Sequence, residues 1–345
     1  MYYVPFMRAI WITRFGGPEV LEVREEPDPT PGPGELRVRV RAAGLNFAEV
    51  MGRLGLYPDA PKPPCVLGYE AAGVVDALGP GVTAPAVGSR VLAMSRFRAH
   101  ADVLCVPAVQ AVTMPDGMSF EEGAALPVNY VTAYHALFRV AALRPKERVL
   151  VHMAAGGVGI AALQLCRTVA GVETFGTASA SKHEVVRGEG CDHPIDYRSR
   201  DYAAEVRRLT GGRGVDVVLD PLGGKDWKKG YRLLRPAGRL VMYGFANLAS
   251  GEKRSYLNAA RHMAGMPLFL PIALMNDNKA VAGVNIGHLW CELEMLYEEI
   301  SALLALYGKG AVKPRIDEVF KFDRAADAHR RMQGRQNVGK IVLTP

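Results

Sequence analysis

The chain has 345 residues, 49% hydrophobic and 22% charged, a globular profile with length enough for two compact domains, so disordered and fibrous classes drop out. Its formal charge of +7 suits nucleic acid, anionic lipid or a phosphorylated cofactor, and charge alone does not choose among them. The basic clusters VRRLTGGR (206–213) and HRRMQGR (329–335) have acids nearby and no interleaved aromatics, the pattern of solvated helix faces, which argues against nucleic acid. Pro, Gly or charge breaks every apolar run before the roughly 18 to 20 residues that a membrane span needs. The N-terminus, MYYVPFMRAI, has no basic region ahead of an apolar core and no small-residue cleavage site, so no secretory signal is expected and a cytoplasmic location follows by default. Cys65, Cys105, Cys166, Cys191 and Cys291 lie far apart without CxxC pairs, as reduced, packed thiols do.

Residues 1–126 read as β-rich. Alternating runs such as ELRVRVRAAG (35–44) and AAGVVDALG (71–79) are separated by Pro and Gly clusters such as EPDPTPGPGE (26–35), which predicts a barrel-like or sandwich domain. From about 127 strand and helix alternate: RVLVHM (148–153), a helical GVGIAALQLCRTVA (157–170), ETFGTA (173–178), a helix near 181–189, HPIDY (193–197) and a helix near 201–209. VDVVLD (215–220), RLVMYG (239–244) and AVAGVNI (280–286) complete the series. The fold class is therefore α/β, with a doubly wound parallel sheet beside the β-rich domain. A strongly helical CELEMLYEEISALLALYGKG (291–310) and the strand KIVLT (340–344) are expected to return to the first domain. The expected division is 127–286 for the parallel-sheet domain and 1–126 with 287–345 for the other.

In RVLVHMAAGGVGIAALQL a buried-type strand runs straight into a glycine-rich turn that opens a helix. Helix N-termini carry unpaired amides and partial positive charge, and glycines admit a pyrophosphate close to the backbone. The loop residues Gly156, Gly157 and Val158 are the expected grip, with Gly159 as third glycine and Ala154 in place of the first. About 20 residues on, an NAD site places Asp or Glu against the ribose hydroxyls. Here the strand ends in GTASASK (176–182), without a carboxylate to repel a 2′-phosphate and with Ser179 and Lys182 to bind one, so NADPH is the expected cofactor. Tyr197, after the third strand, is placed to flank the adenine ribose or to serve as a core tyrosine.

The segments RFGGPEVLEV (14–23), PGPGELRVRVRAAGLNFAEVMGRLGLYP (31–58), VLGYEAAGVV (66–75), VGSRV (87–91), LPVNYVTAYHAL (126–137) and the glycine loop together resemble the zinc-free quinone oxidoreductase group of the medium-chain dehydrogenase/reductase superfamily, over essentially the whole chain. Within it, TFGTASASKHE, DPLGG and NVGKIVL look closest to the vesicle amine transport branch. The resemblance implies a GroES-like catalytic domain built from both ends of the chain with a Rossmann domain inserted, and a homodimer paired through the last strand of its sheet. Zinc-dependent members carry Cys and His where this chain has Asn46 and Tyr69, and the stretch matching four structural-zinc cysteines holds only Cys105, so no metal is expected.

What remains is hydride transfer to an electron-poor acceptor, a quinone or an α,β-unsaturated carbonyl, whose conjugation delocalises the developing charge. By resemblance Asn46 contacts substrate or nicotinamide ribose and donates from its amide to the developing oxyanion, Tyr57 is the candidate proton donor, and Met51 stands where a second family tyrosine occurs. Thr132, Tyr243, Gly244 and Asn337 match cofactor contacts. His135 is the one histidine with a place as proton relay. A different class of function stays open, a membrane- or partner-associated protein retaining the fold. GEKRSYLNAARHMAGMPLFLPIALMNDN (251–278), basic then apolar, suits peripheral contact with anionic lipid, a cover over the acceptor pocket or a subunit interface.

Overall fold

The computed structural model describes residues 5–249 and 251–345; the first four residues of the N-terminal stretch lie outside these. Six strands form an all-parallel sheet in the spatial order His193–Asp196, Glu173–Ala178, Arg148–Val151, Val215–Asp220, Leu234–Met242, Ala280–Gly283. Numbered along the chain this is 3-2-1-4-5-6, and the order reverses between Arg148–Val151 and Val215–Asp220. A crevice opens there at the carboxyl ends of the strands, where such sheets bind ligands. Val215–Asp220 is buried at every position, which is why VDVVLD reads as a nearly continuous apolar run.

The second sheet has seven strands, running Ile316–Lys321, Lys340–Thr344, Glu35–Leu45, Glu70–Leu78, Arg90–Met94, Ala111–Thr113, with Val103–Pro107 also paired to Glu35–Leu45. KIVLT pairs antiparallel with the first long strand, Ile341 opposite Leu45, and so brings the end of the chain back to its beginning. The helix Leu293–Gly308 packs at the boundary of the two parts, where Tyr307 Oη donates to Glu122 Oε2 at 2.8 Å. Its buried Leu296, Ile300 and Leu303 join the core beside Ala136 and Leu137, and Glu299 accepts from Arg139 Nε at 3.0 Å. One apolar cluster runs unbroken from Ala42 and Leu92 of the seven-stranded sheet to Val149 and Val217 of the parallel sheet. The two halves thus share a packed boundary, and the crevice lies along it. Among the described residues no helix is long and apolar enough to cross a membrane.

The β-rich segment also holds a short helix that periodicity did not predict, Phe47–Arg53. Its N-cap is Asn46, whose backbone N–H donates to Glu49 Oε2 at 2.8 Å, one half of a capping box. That cap stands at one end of the crevice.

Candidate active site

The parallel strand Arg148–Val151 ends in a loop with Met153 at φ +52°, and the helix Gly157–Cys166 starts from Gly156 as N-cap. The first helical amides have no partner within the helix, so they present donors to the crevice. A Cβ on Gly157 would overlap the Asn129 side-chain amide, and one on Gly159 would stand 2.7 Å from Ala154 Cα. These contacts seat the helix against the strand end. Ala154 fills the place of the first glycine because its neighbour gives way: its N–H donates to Thr177 O at 3.0 Å, and its methyl faces Gly176, where a Cβ would come within 2.9 Å of it.

A cavity of about 1210 Å³ runs from this loop to Asn46 and Tyr57. Gly156, Gly157, Val158 and Thr132 form one stretch of its wall, and Ser179, Lys182 and Tyr197 another. Lys182 Nζ donates to the carbonyls of Arg335 and Asn337, 2.7 Å each, leaving one ammonium hydrogen for a ligand. Burial lowers the Lys182 pKa. Asn337 closes on the same space, its Nδ2 donating to Gly339 O at 2.9 Å, while Gly339 N–H donates to Ala155 O at 2.9 Å and ties this segment to the glycine loop. Tyr197 lies at the rim, 38% exposed. Tyr243 and Gly244 follow the strand Leu234–Met242 and also line the cavity. The Tyr243 N–H donates to Asp220 O at 3.1 Å, and a Cβ on Gly244 would meet Pro221 O at 3.1 Å, a tight contact that glycine avoids where the two strand ends approach.

At the other end Asn46 and Tyr57 line the same cavity. Asn46 was expected to offer its amide to a substrate oxygen, but a buried charged cluster takes both its hydrogens. Nδ2 donates to Glu70 Oε1 at 3.0 Å and to Glu49 Oε1 at 3.3 Å, while Oδ1 accepts from Lys340 Nζ at 2.6 Å. Lys340 Nζ also pairs with Glu70 Oε1, and Glu70 Oε2 accepts from Val128 N–H at 2.7 Å. Burial, more than Lys340 or the Asn46 bond offsets, pushes the Glu49 carboxyl up to about 7. Burial also takes His100 down to about 4, which keeps it neutral beside the Lys340 ammonium, its Nε2 3.2 Å from Gly44 O. Sequence reading passed over Glu49, Glu70 and Lys340. The N-x-x-E spacing of Asn46 and Glu49 carried a capping signal, whereas Lys340 meets them only through strand pairing.

Tyr57 and Tyr69 meet edge to face, ring centroids 6.5 Å apart, and Tyr69 packs on Phe97 at 5.1 Å. The Tyr69 hydroxyl is buried without a hydrogen-bond partner. Beside them the exposed His288 Nε2 lies 2.8 Å from Asp59 Oδ2. Met51 is buried and lines the same end. His135 does not reach the cavity; its Nδ1 is held 2.9 Å from Glu299 Oε1. The apolar segment PLFLPIALM does not cover the acceptor end either. None of its residues lines the cavity, and Leu268 and Ile272 are 85% and 72% exposed. Among the described residues no three His, Cys, Asp or Glu side chains are grouped to hold a metal ion.

A family model for the alcohol dehydrogenase GroES-like domain matches residues 32–136, and one for zinc-binding dehydrogenases matches residues 189–343. The chain is 49% identical over 343 residues to the synaptic vesicle membrane protein VAT-1 homolog of Rattus norvegicus, covering 99% of this chain and 85% of the relative. The VAT-1 homolog of Homo sapiens is 48% identical over 98% of this chain and 86% of its own length. Escherichia coli quinone oxidoreductase, solved in complex with NADPH, is 30% identical and superposes with a TM-score of 0.87 over 98% of this chain and 100% of that one. The chain belongs to the medium-chain dehydrogenase/reductase superfamily, in its quinone oxidoreductase group. Within that group it falls in the VAT-1 branch.

Proposed function

We propose that this chain is an NADPH-dependent, zinc-independent reductase of quinones or α,β-unsaturated carbonyl compounds. The observation that carries the reading is one continuous cavity that joins the glycine loop and Lys182 to Tyr57. Bound NADPH supplies the hydride. The loop from Gly156 to Val158 grips the pyrophosphate, Ser179 and Lys182 take the 2′-phosphate, and Tyr197 flanks the adenosine. Thr132, Tyr243, Gly244 and Asn337 enclose the nicotinamide half. Asn46 acts as a positioning residue, since its amide is spent on Glu49, Glu70 and Lys340, and Tyr57 gives the proton. The neutral Asn46 and Tyr69 at the acceptor end lack the thiolate and imidazole that zinc takes as ligands, which supports the metal-free chemistry. The E. coli quinone oxidoreductase with NADPH and the CurK enoyl reductase, 28% identical with a TM-score of 0.84 over 98% of this chain and 99% of that one, both support the acceptor class.

A second reading rests on the exposed apolar side chains Leu257, Leu268, Ile272 and Met275, in the segment that precedes the edge strand Ala280–Gly283. It makes this segment a contact with lipid or with a second copy of the chain, and the names of the VAT-1 relatives support the former. Measuring NADPH consumption over a panel of quinones, enones and enoyl thioesters, beside sedimentation with anionic liposomes, separates the two. Saturable turnover carries the reductase reading; liposome binding without turnover on any acceptor overturns it.

A further inference from the structure

The Tyr69 hydroxyl lines the acceptor end, and the proposed chemistry leaves it without a task. A buried hydroxyl without a partner lowers stability, because water has been removed and nothing replaces it. Yet this residue is held firmly. Its carbonyl accepts from Ser95 N–H at 2.8 Å, Gly68 before it turns at φ +104°, and Glu70 after it is locked by Lys340 and Val128. Phe97 backs the ring and Tyr57 stands edge-on against it. Tyr57 lies between Tyr69 and the turn Asn285–His288, its hydroxyl 3.6 Å from the place of a Cβ on Gly287. The Tyr69 hydroxyl and the Asn285 side chain neighbour the Tyr57 hydroxyl, and the carboxylates Asp59 and Glu49 act on it through space. Burial and the two carboxylates disfavour a phenolate at Tyr57; the Tyr69 hydroxyl, and to a lesser degree the Asn285 side chain, favour one.

We infer that Tyr57 and Tyr69 work as a phenol pair, in which Tyr57 protonates the reduced acceptor and Tyr69, a positioning residue, donates its idle hydrogen to the phenolate left behind. The inference rests on the reductase reading and deepens it. Once the acceptor has taken a hydride from NADPH, its carbonyl oxygen carries the negative charge. The Tyr57 O–H bond breaks, an O–H bond forms on the acceptor, and the charge moves to Tyr57 Oη. There the Tyr69 O–H turns to meet it with a charge-assisted hydrogen bond, available only after the transfer. Water at the exposed His288–Asp59 side then returns the proton to Tyr57, so that each turnover consumes one NADPH and one proton. The orphaned hydroxyl is unsatisfied in the resting protein and satisfied at the step it assists.

The test is a double-mutant cycle of Tyr69→Phe and Tyr57→Phe, read by kcat and KM for a conjugated carbonyl acceptor, by NADPH affinity from fluorescence titration, and by melting temperature without cofactor. The pair predicts that Tyr69→Phe lowers kcat about tenfold to a hundredfold, leaves KM and NADPH affinity unchanged, and leaves the melting temperature equal or raised, since it removes an unpaired buried hydroxyl. It also predicts no further loss when Tyr69→Phe is added to Tyr57→Phe. A lowered melting temperature in Tyr69→Phe, or losses that multiply in the double variant, overturns the pair while the reductase reading stands. Full activity of Tyr57→Phe removes the proton donor and the pair with it. Absence of NADPH consumption by the unaltered protein overturns the underlying reading instead.

Discussion

Lys182 is bound on one side only. Two of its hydrogens go to the carbonyls of Arg335 and Asn337, and the third is left for an anion at the end of the strand Glu173–Ala178. Lys182→Ala should weaken NADPH by about tenfold to a hundredfold, the worth of a hydrogen bond to a charged group, and weaken NADH far less. Titrating both nucleotides against the variant and its parent checks this, and an equal loss for the two would assign Lys182 to holding the 335–337 segment alone. Asp220 gives a second prediction. Its Oδ1 accepts from Leu222 and Gly223 N–H while Oδ2 is buried without a partner, and burial pushes the carboxyl from its ordinary 3.8 up to about 7. The folded chain therefore keeps a proton that the unfolded chain has already released. That contribution to stability is full below pH 4 and lost as the pH rises through 7. Asp220→Asn keeps the Oδ1 acceptor and removes the charge, so at pH 8 it should exceed the parent in stability by on the order of 3 kcal/mol, the gap closing toward pH 4. Melting curves across that range decide it; a gap independent of pH would place the effect elsewhere.

The element that sequence described best is the strand, glycine loop and helix around residue 154, and its one irregularity tests why. Ala154 departs from the glycine pattern, but the room for its methyl is made by Gly176, on the neighbouring strand. Ala154→Gly should therefore cost on the order of 1 kcal/mol of stability and leave NADPH affinity unchanged. Gly157→Ala, whose methyl would overlap the Asn129 amide, should lose NADPH affinity; fluorescence titration of both variants tells them apart. Periodicity and turn chemistry made these elements legible because each residue acts through near neighbours in the chain. The capped helix at Phe47–Arg53 was missed, because it is short and sits in a run of strands. The cluster of Asn46, Glu49, Glu70 and Lys340 was illegible for another reason. Lys340 comes from the last strand and Asn46 from the end of the first long one, and only the pairing of Ile341 with Leu45 joins them.

For the molecule as a whole, the order of the parallel strands and the return of KIVLT to the first sheet place one crevice between the two sheets, and residues from 46 to 337 converge on it. The α/β class and the alternation of strand and helix were readable from pattern alone, whereas the convergence came into view through resemblance and then geometry. The apolar stretch PLFLPIALM shows where pattern stops short. Its composition signals a surface that wants a partner, but only the fold shows that it does not line the cavity. On the proposed function, the cavity carries hydride from NADPH to a conjugated carbonyl. This transfer is tested most directly with NADPH carrying deuterium at both C4 positions and an enone acceptor, by mass spectrometry of the product. One deuterium on the β-carbon of the product is expected for each NADPH consumed; NADPH consumption without deuterium in the product, or no consumption with any acceptor, would contradict this transfer.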